Sequence, residues 1–414
     1  MLTNLLFIAG TLTLSLNFVR FGGLAISDWF YFGSLFLALV STVLLKEKDR
    51  RFVWTRNRLI PFAFLIVVGA SLSLINARAI DLAVFEIVQQ IYTLTLFVSL
   101  IWLMVLRGQT RIIITAFILS GVFTASIAIW DSSTGDRLGP MFSNTLDSVL
   151  WFRYAGTLGH PNKFGYFLVL TSLLSLARLA APPIIFWRRL LWLVFFVIQV
   201  FGIYLSGSVT AYIGVLVGVG IFLWTAKPLH NFLLQAGCAL SLPTAILVVA
   251  IVFLVPRSSA SIGEGFIVEQ SLDRVQTITA QSRWVVYEQA LIQISRSPII
   301  GASFDQLSTS GIAEYLRPTD TTVHNVLLQM WYAGGLLAFL GWAAIYIYLL
   351  RLVVLHFRKP QNNIQSLIKI GLAATVLAIL VMDQFQDAVY QREKWLVLGL
   401  FLGLVSDPEP HSIT

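Results

Sequence analysis

The segment HNVLLQMWYAGGLLAFLGWAAIYIYLL, residues 324–350, is almost entirely apolar. An α-helix needs about 20 such residues to cross the hydrocarbon core of a bilayer. The segment therefore predicts a transmembrane helix, and its polar first turn carries His324 and Asn325. Hydrophobic residues make up 57% of the chain and charged residues 12%, and soluble proteins carry about twice that charged share. The composition predicts an all-α polytopic membrane protein.

Similar apolar runs predict about twelve transmembrane helices. Their expected bounds are 2–19, 28–45, 59–75, 82–106, 111–130, 163–181, 184–204, 209–225, 232–255, 324–350, 364–382 and 393–406. The chain accordingly divides into helices one to nine (1–255), an extracytoplasmic loop with an amphipathic helix (256–323), and helices ten to twelve with a cytoplasmic tail (324–414). No basic segment precedes the first run and no convincing cleavage site follows it, so we expect a retained helix rather than a signal peptide.

Basic residues predict the orientation of the helices. Six of them lie in the loop between the second and third helices and mark it as cytoplasmic: Lys46, Lys48, Arg50, Arg51, Arg56 and Arg58. Alternation then places both termini in the cytoplasm. Four arginines fall on the outer side, so the bias is strong but incomplete: Arg20, Arg78, Arg137 and Arg153.

Charge and cysteine content exclude two classes of site. The net charge of +8 is typical of cytosolic loops and contact with anionic lipids in so apolar a chain, so we do not predict binding to nucleic acid. Cys238 is the only cysteine, which rules out an intrachain disulfide and a metal site built on cysteines.

Three polar segments are expected to emerge together on the outer face. They are RYAGTLGHPNKFG (153–165), LSGSVTA (205–211), and Arg283 with His324 and Asn325. The sixth, eighth and tenth helices begin at that face, and the N–H groups of a helix N-terminus attract anions such as a diphosphate. The same helix end disfavours a charged imidazolium at His324, so a neutral ring can act as a base. The candidate substrate-binding residues are Arg153, His160, Asn162, Lys163, Ser206, Ser208, Thr210, Arg296, Arg317 and Asn325.

Each of these residues also has a structural interpretation. Lys163 opposes the helix dipole unless it binds a phosphate, but it can also snorkel to the interface. The remaining structural alternatives are a Pro-led helix start at His160–Asn162, a hydroxyl-capped turn at Ser206–Thr210, a bond from His324 to a loop carbonyl, and pairing of Arg283 with Asp273 or Glu288.

Two further segments have polar and apolar faces. Residues 283–296 predict an amphipathic helix with Trp284, Tyr287, Leu291 and Ile294 on one face. It would lie on the membrane surface, roof a cavity, or pack as an ordinary helix. In the fourth helix, Glu86, Gln89 and Gln90 indicate either a later start or a polar face turned into the bundle.

The ordered motifs resemble the O-antigen ligase and polymerase superfamily. They are R-x-x-G-x-x-G-H-P-N-x-x-G, L-S-G-S-x-T-A, S-R-W with S-P-I-I-G-A-S-F, and H-N-x-x-L-Q with G-G-L-L, between Arg153 and Leu340. The first five helices match only in hydropathy. The resemblance implies a twelve-helix bundle with a large periplasmic loop between helices nine and ten. It also implies metal-independent glycosyl transfer, without a cofactor, from an undecaprenyl-diphosphate-linked glycan to an acceptor hydroxyl.

The resemblance carries residue roles with it. Arg283 would hold the diphosphate, and His324 would act as the base or orient the acceptor, with Asn325 beside it. The ligase branch commonly has an arginine where this chain has Val209, and S-x-S-x-T is closer to the turn of exopolysaccharide polymerases. Lys163 or Arg153 would have to replace that arginine.

Three functions remain open at this stage. The first is a polymerase of lipid-linked repeat units in a bacterial cytoplasmic (inner) membrane. Its partners would be the glycan donor, a glycan or lipid acceptor, membrane lipids and a candidate chain-length regulator protein. The second is a ligase that transfers the glycan to lipid A core or another acceptor. A transporter is the third, although the chain has no internal repeat and few ionisable residues within its spans.

Overall fold

A computed structural model describes residues 1–16, 19–21, 24–44, 57–134, 138, 142–146, 149–181, 186–225, 284–307, 323–357 and 364–406. The predicted ninth helix (232–255) and most of the predicted extracytoplasmic loop lie outside these ranges. The predicted site residues Arg283 and Arg317 lie outside them as well.

The described residues are mainly α-helical. The helices are α1 (Leu2–Leu12), α2 (Ile26–Leu44), α3 (Ile60–Ser73), α4 (Ile80–Leu106), α5 (Thr110–Thr134), α6 (Pro161–Ala180), α7 (Phe186–Ser206), α8 (Val209–Thr225), α9 (284–296), α10 (Val326–Phe357), α11 (Ile364–Met382) and α12 (Arg392–Ser406). Two antiparallel hairpins pair β1 (Arg20–Phe21) with β2 (Leu24–Ala25), and β3 (Phe142–Leu146) with β4 (Val149–Arg153). Short 3₁₀ turns lie at Leu74–Asn76, after α3, and at Phe304–Leu307, after α9.

Length and composition support a membrane-embedded bundle. Within the described residues, five helices are long and apolar enough to cross a bilayer, namely α4, α5, α6, α7 and α10. Several shorter apolar helices accompany them. The predicted all-α membrane class is therefore confirmed, whereas the number of spans and the large loop remain predictions.

The first helix is shorter than predicted. The apolar run continues to residue 19, but α1 ends at Leu12 and a turn follows. The Thr13 hydroxyl donates back to the Ala9 carbonyl at 2.8 Å, and the Ser15 amide donates to Ser120 Oγ on α5 at 3.2 Å. A tertiary hydrogen bond thus replaces the intrahelical bond that would have continued α1.

The fourth helix turns its polar face into the bundle. It begins at Ile80, so the alternative of a later start is wrong. Gln90 is buried, and its side-chain amide donates to the Tyr390 hydroxyl at 3.2 Å. The helix contains a π-helical stretch at Tyr92–Phe97, where Asn57 Nδ2 donates to the Leu94 carbonyl at 3.2 Å. A π-helical turn leaves carbonyls imperfectly paired, and the asparagine compensates for this.

The tenth helix is interrupted, which its continuous apolar pattern does not predict. Gly335 has φ +69°, and a side chain there would overlap the Ile299 carbonyl. The segment after α9 pairs with the interruption: the Ala302 amide donates to the Tyr332 carbonyl at 2.7 Å, and the Leu336 amide donates to the Ile299 carbonyl at 3.1 Å. Glycine is required because only glycine adopts this φ without strain while another backbone approaches so closely.

The sixth helix lies at the centre of the bundle. It packs against α5, α7, α8, α11 and α12, and almost every side chain from Phe164 to Ala177 is buried. A polar segment at the start of this helix is therefore held by neighbours on several sides. Near the N-terminus of α6, Gly165 meets the start of α8, and Tyr166 donates to Asp383 after α11, which also accepts from Lys394 of α12.

Candidate functional site

The start of α6 is a capped helix N-terminus. His160 is the N-cap residue, and its Nδ1 accepts a hydrogen bond from the Asn162 amide at 3.1 Å. Pro161 occupies the first helical position, where the missing N–H costs nothing. The local geometry therefore matches the structural interpretation of His160–Asn162.

Arg153 joins the start of α6 to the turn between α7 and α8. Its Nη2 donates to Asn162 Oδ1 at 2.6 Å, and its Nε donates to the Ser206 carbonyl at 2.9 Å. Gly165 lets the two segments approach, because a Cβ there would lie 2.8 Å from Ser206 Oγ. The structure thus brings two of the three predicted polar segments together.

The hydroxyls of the α7–α8 turn are engaged within the protein. Ser206 Oγ donates to the Ile203 carbonyl at 2.6 Å and accepts from the Ser208 amide at 3.2 Å. Ser208 Oγ accepts from the Ala211 amide at 3.4 Å and caps α8. Ser206, Ser208 and Thr210 are all buried. In this arrangement the guanidinium of Arg153, rather than the hydroxyls, is the partly exposed polar group at the turn.

The sequence predicted His324 and Asn325 in the first turn of α10, but in the structure both residues precede the helix. The helix begins at Val326 because Asn325 caps it: Asn325 Oδ1 accepts from the Leu328 amide at 2.9 Å. Asn325 Nδ2 also donates to Gln384 Oε1 at 3.2 Å. The main-chain oxygen of His324 accepts a hydrogen bond from the Tyr287 hydroxyl at 3.0 Å, and His324 itself is half-buried.

A buried ionic cluster links α6 to the start of α10. Asp383 accepts hydrogen bonds from Lys394 Nζ at 2.6 Å, from the Tyr346 hydroxyl at 2.6 Å and from the Tyr166 hydroxyl at 3.1 Å. The Asp383 main-chain oxygen accepts the Val326 amide at 2.9 Å. Through Tyr166 on α6 and Val326 on α10, one aspartate connects the segment containing Asn162 to the segment containing His324.

Sequence reasoning missed this cluster. Asp383 and Lys394 are fully buried, and Lys394 Nζ lies 4.9 Å from the ring centroid of Trp342. The sequence does offer one indication of the pair, because Asp383 and Lys394 carry opposite charges at the two ends of a short connection between apolar runs. An intramembrane or near-membrane charge normally has a partner, but the sequence does not show which residue that partner is.

Lys163 is exposed in the first turn of α6, near Glu393 in the first turn of α12. Lys163 is thus placed differently from Arg153, which lies against the α7–α8 turn.

Glu86 and Tyr390 form a second polar contact between α4 and the α11–α12 connection. The two side chains are hydrogen-bonded, and Gln90 donates to the same hydroxyl. Burial, followed by the nearby Glu86 carboxylate, raises the pKa of Tyr390 well above its usual range. The hydroxyl therefore stays protonated and can donate to the carboxylate.

The helix α9 packs one face against the bundle and leaves another exposed. Val286, Ala290 and Ile294 are buried, whereas Trp284 is 71% exposed and Leu291 is 53% exposed. The buried residues are spaced four apart, which is the stripe that a helix presents to a core. Of the four residues predicted to share an apolar face, Ile294 is buried and Tyr287 partly buried, whereas Trp284 and Leu291 are exposed. Placement of this face on the membrane surface stays a prediction. Arg296 is exposed at the end of α9.

Polar groups therefore gather where α6, α8, α10 and α12 begin and α7 and α11 end. We call this end of the bundle the polar end. It combines helix N-termini, which attract anions, with the Arg153 guanidinium and with residues 323–325, which we call the His324 turn. Among the described residues, no group of three or more His, Cys, Asp and Glu side chains has the arrangement of a metal site.

The fold and the polar end define an α-helical membrane protein with a site suited to an anionic substrate. A sequence model described as O-antigen ligase matches residues 194–343. This match confirms the resemblance to the O-antigen ligase and polymerase superfamily, whose activity is glycan processing at a membrane. The matched range includes the α7–α8 turn, α9, His324 and Gly335, but Arg153 and Asp383 lie outside it. No curated protein matches the chain.

Proposed function

We propose that this protein is a membrane glycosyltransferase that polymerises undecaprenyl-diphosphate-linked repeat units into a surface polysaccharide or exopolysaccharide. The reaction would take place at the outer face of a bacterial cytoplasmic membrane, with both protein termini in the cytoplasm. The observation that carries the proposal is the meeting of Arg153, Asn162 and Ser206 at one helix N-terminus, linked through Asp383 to the His324 turn. One substrate that spans the two segments would meet an anion site and a base.

The chemistry requires charge neutralisation at the donor. A sugar attached to a lipid diphosphate through its anomeric carbon has a good leaving group once the developing negative charge is stabilised. Arg283 would supply the main guanidinium contact. Arg153 is the better candidate to replace the arginine missing at Val209, because its side chain already lies against the α7–α8 turn. Arg296, Arg317 and Lys163 would contribute to the positive potential.

His324 would activate the acceptor hydroxyl. General-base catalysis of this kind contributes about 10²–10⁴-fold to the rate. The acceptor oxygen forms a bond to the anomeric carbon, the bond from that carbon to the diphosphate oxygen breaks, and the proton passes to the imidazole. Attack opposite the diphosphate inverts the anomeric configuration. Asn325 would hold the turn on which the imidazole is presented.

The first prediction tests this assignment in a reconstituted system. Wild-type protein in liposomes, supplied with one lipid-linked repeat unit, should produce a ladder of longer glycans. His324→Ala and Arg283→Ala should each abolish the ladder while membrane yield and thermal unfolding stay close to wild type. Near-normal polymer length in both variants would contradict the proposal.

A ligase is the second candidate, and the O-antigen ligase description of residues 194–343 favours it. A ligase would transfer finished glycan to lipid A core or to another surface anchor. It would make no ladder from the repeat unit alone, but it would label an added acceptor. The same assay therefore separates the two functions.

A further inference from the structure

Tyr287 connects α9 to the turn that carries His324. Its hydroxyl lies 3.0 Å from the His324 main-chain oxygen and 3.3 Å from the Gln384 main-chain oxygen. A tyrosine hydroxyl has a single proton to donate, so the two carbonyls share it, and the shorter bond is the one to His324. The contact therefore joins three elements: α9, the start of α10, and the connection that follows α11.

Asn325 is tied to the start of α10, because its carbonyl accepts a hydrogen bond from the Gln329 amide at 2.9 Å. His324 precedes the helix, which begins at Val326, so contacts with other elements contribute to its position. Asn325 is fixed by capping α10 and by donating to Gln384 Oε1. The Tyr287 hydrogen bond is made to the main-chain oxygen of His324, which belongs to the peptide unit that joins His324 to Asn325.

The helix α9 is itself firmly anchored, so it can serve as a support. Val286 and Ala290 are buried in the main hydrophobic core on either side of Tyr287. At the far end of α9, Trp331 Nε1 donates to the Pro298 main-chain oxygen at 3.1 Å. A rigid support is needed because displacement of a catalytic group by about 1 Å can reduce the rate by about 10²-fold.

We propose that the Tyr287 hydroxyl is a positioning group for the glycosyl transfer. By bridging the main-chain oxygens of His324 and Gln384, it sets the orientation of the histidine turn relative to α9, the helix that directly follows Arg283 in the chain. This proposal rests on the function proposed above. It adds a residue that touches neither substrate nor leaving group and acts through His324.

The test compares Tyr287→Phe with two matched controls in the reconstituted assay. Tyr31→Phe removes a buried tyrosine hydrogen bond to Thr11 Oγ1 in a different part of the bundle. Leu291→Ala changes an exposed side chain of α9 and leaves the hydroxyl and the buried face of the helix unchanged. We expect Tyr287→Phe to lower kcat by about 10-fold to 10²-fold with the donor KM changed less than about twofold. Both controls should keep the wild-type kcat per folded molecule.

A double-mutant cycle supplies the readout that a purely structural role would not produce. In the His324→Ala background, Tyr287→Phe should cause no further loss of the residual single-turnover rate, because the residue acts through the missing imidazole. An equal loss in both backgrounds, or a wild-type rate for Tyr287→Phe alone, would overturn the positioning role. A fully active His324→Ala variant would instead overturn the proposed function itself, so the two failures are distinguishable.

Discussion

At the scale of single residues, the buried Asp383 and Lys394 pair is the main polar feature of the polar end. Both side chains have no exposed area, and the aspartate also accepts hydrogen bonds from two tyrosines. Burial of two charges is costly, and it is tolerated when the geometry is good and the remaining lone pairs are satisfied. The pair is better understood as a device that fixes which helices meet than as a large source of net stability.

This view leads to a prediction about stability. Lys394→Met leaves the Asp383 carboxylate buried without its countercharge, and it should lower the free energy of unfolding by about 3–5 kcal/mol. The double variant Asp383→Asn with Lys394→Met removes both charges and should recover most of that loss. Unfolding of the purified protein in detergent, followed by tryptophan fluorescence, measures both changes.

Lys163→Met serves as the matched control, because Lys163 is an exposed lysine at the same end of the bundle. Surface substitutions usually change stability by less than about 0.5 kcal/mol. A double variant no more stable than Lys394→Met would contradict the role assigned to the pair.

At the scale of elements, the interruption of α10 decides how the segment after α9 is attached. The chain around Gly301 pairs its backbone with Tyr332 and Ala333, as a short strand would. The break therefore lets residues 299–303 pair with the backbone of α10, which attaches the segment after α9 to the bundle. Because α9 carries Tyr287, the break also contributes to the placement of the His324 turn.

Gly335→Ala tests this arrangement. Alanine at φ +69° is strained, and its methyl group would also overlap the Ile299 carbonyl. We expect a loss of about 1–3 kcal/mol in the free energy of unfolding. The control is Gly220→Ala in α8, where nothing lies within 4 Å of the added methyl group. That change should be neutral or stabilising by up to about 1 kcal/mol, and equal losses in the two variants would contradict the explanation.

At the scale of the whole molecule, the basic loops predict the orientation in the membrane. By the positive-inside bias we expect residues 46–58 and the α4–α5 connection in the cytoplasm and α9 outside. In the structure, the segment that follows α9 and the start of α4 meet at one end, because Asp305 accepts hydrogen bonds from the Arg78 and Ala79 amides just before α4. The end of α4 points the other way, toward the start of α5.

Cysteine labelling in whole cells checks the orientation. In a Cys238→Ser background, Ser295→Cys on α9 should react with a membrane-impermeant maleimide in spheroplasts. Arg111→Cys at the start of α5 should react only after the membrane is permeabilised. Both positions are exposed in the structure, so a lack of labelling would not arise from burial within the bundle. Labelling of Arg111→Cys in intact spheroplasts would contradict the proposed topology.

The agreement between the sequence prediction and the structure differs from one element to another. The long apolar runs predicted most described helices to within a few residues, because the thickness of a bilayer imposes their length and hydrophobicity. The same argument overextended α1, where a hydrogen bond to Ser120 ends the helix. It also missed the break in α10, since a glycine pair within an apolar run does not reveal that another backbone docks there.

The sequence by itself predicted a helical membrane protein, and its ordered motifs resembled those of the O-antigen ligases and polymerases. Those properties depend on composition and on local order along the chain. Only the tertiary structure decided that Arg153 joins Asn162 to Ser206, that Asp383 pairs with Lys394, and that Tyr287 holds the His324 turn. Such contacts join residues from separate helices, and their partners are chosen by how the helices pack, which no local pattern specifies.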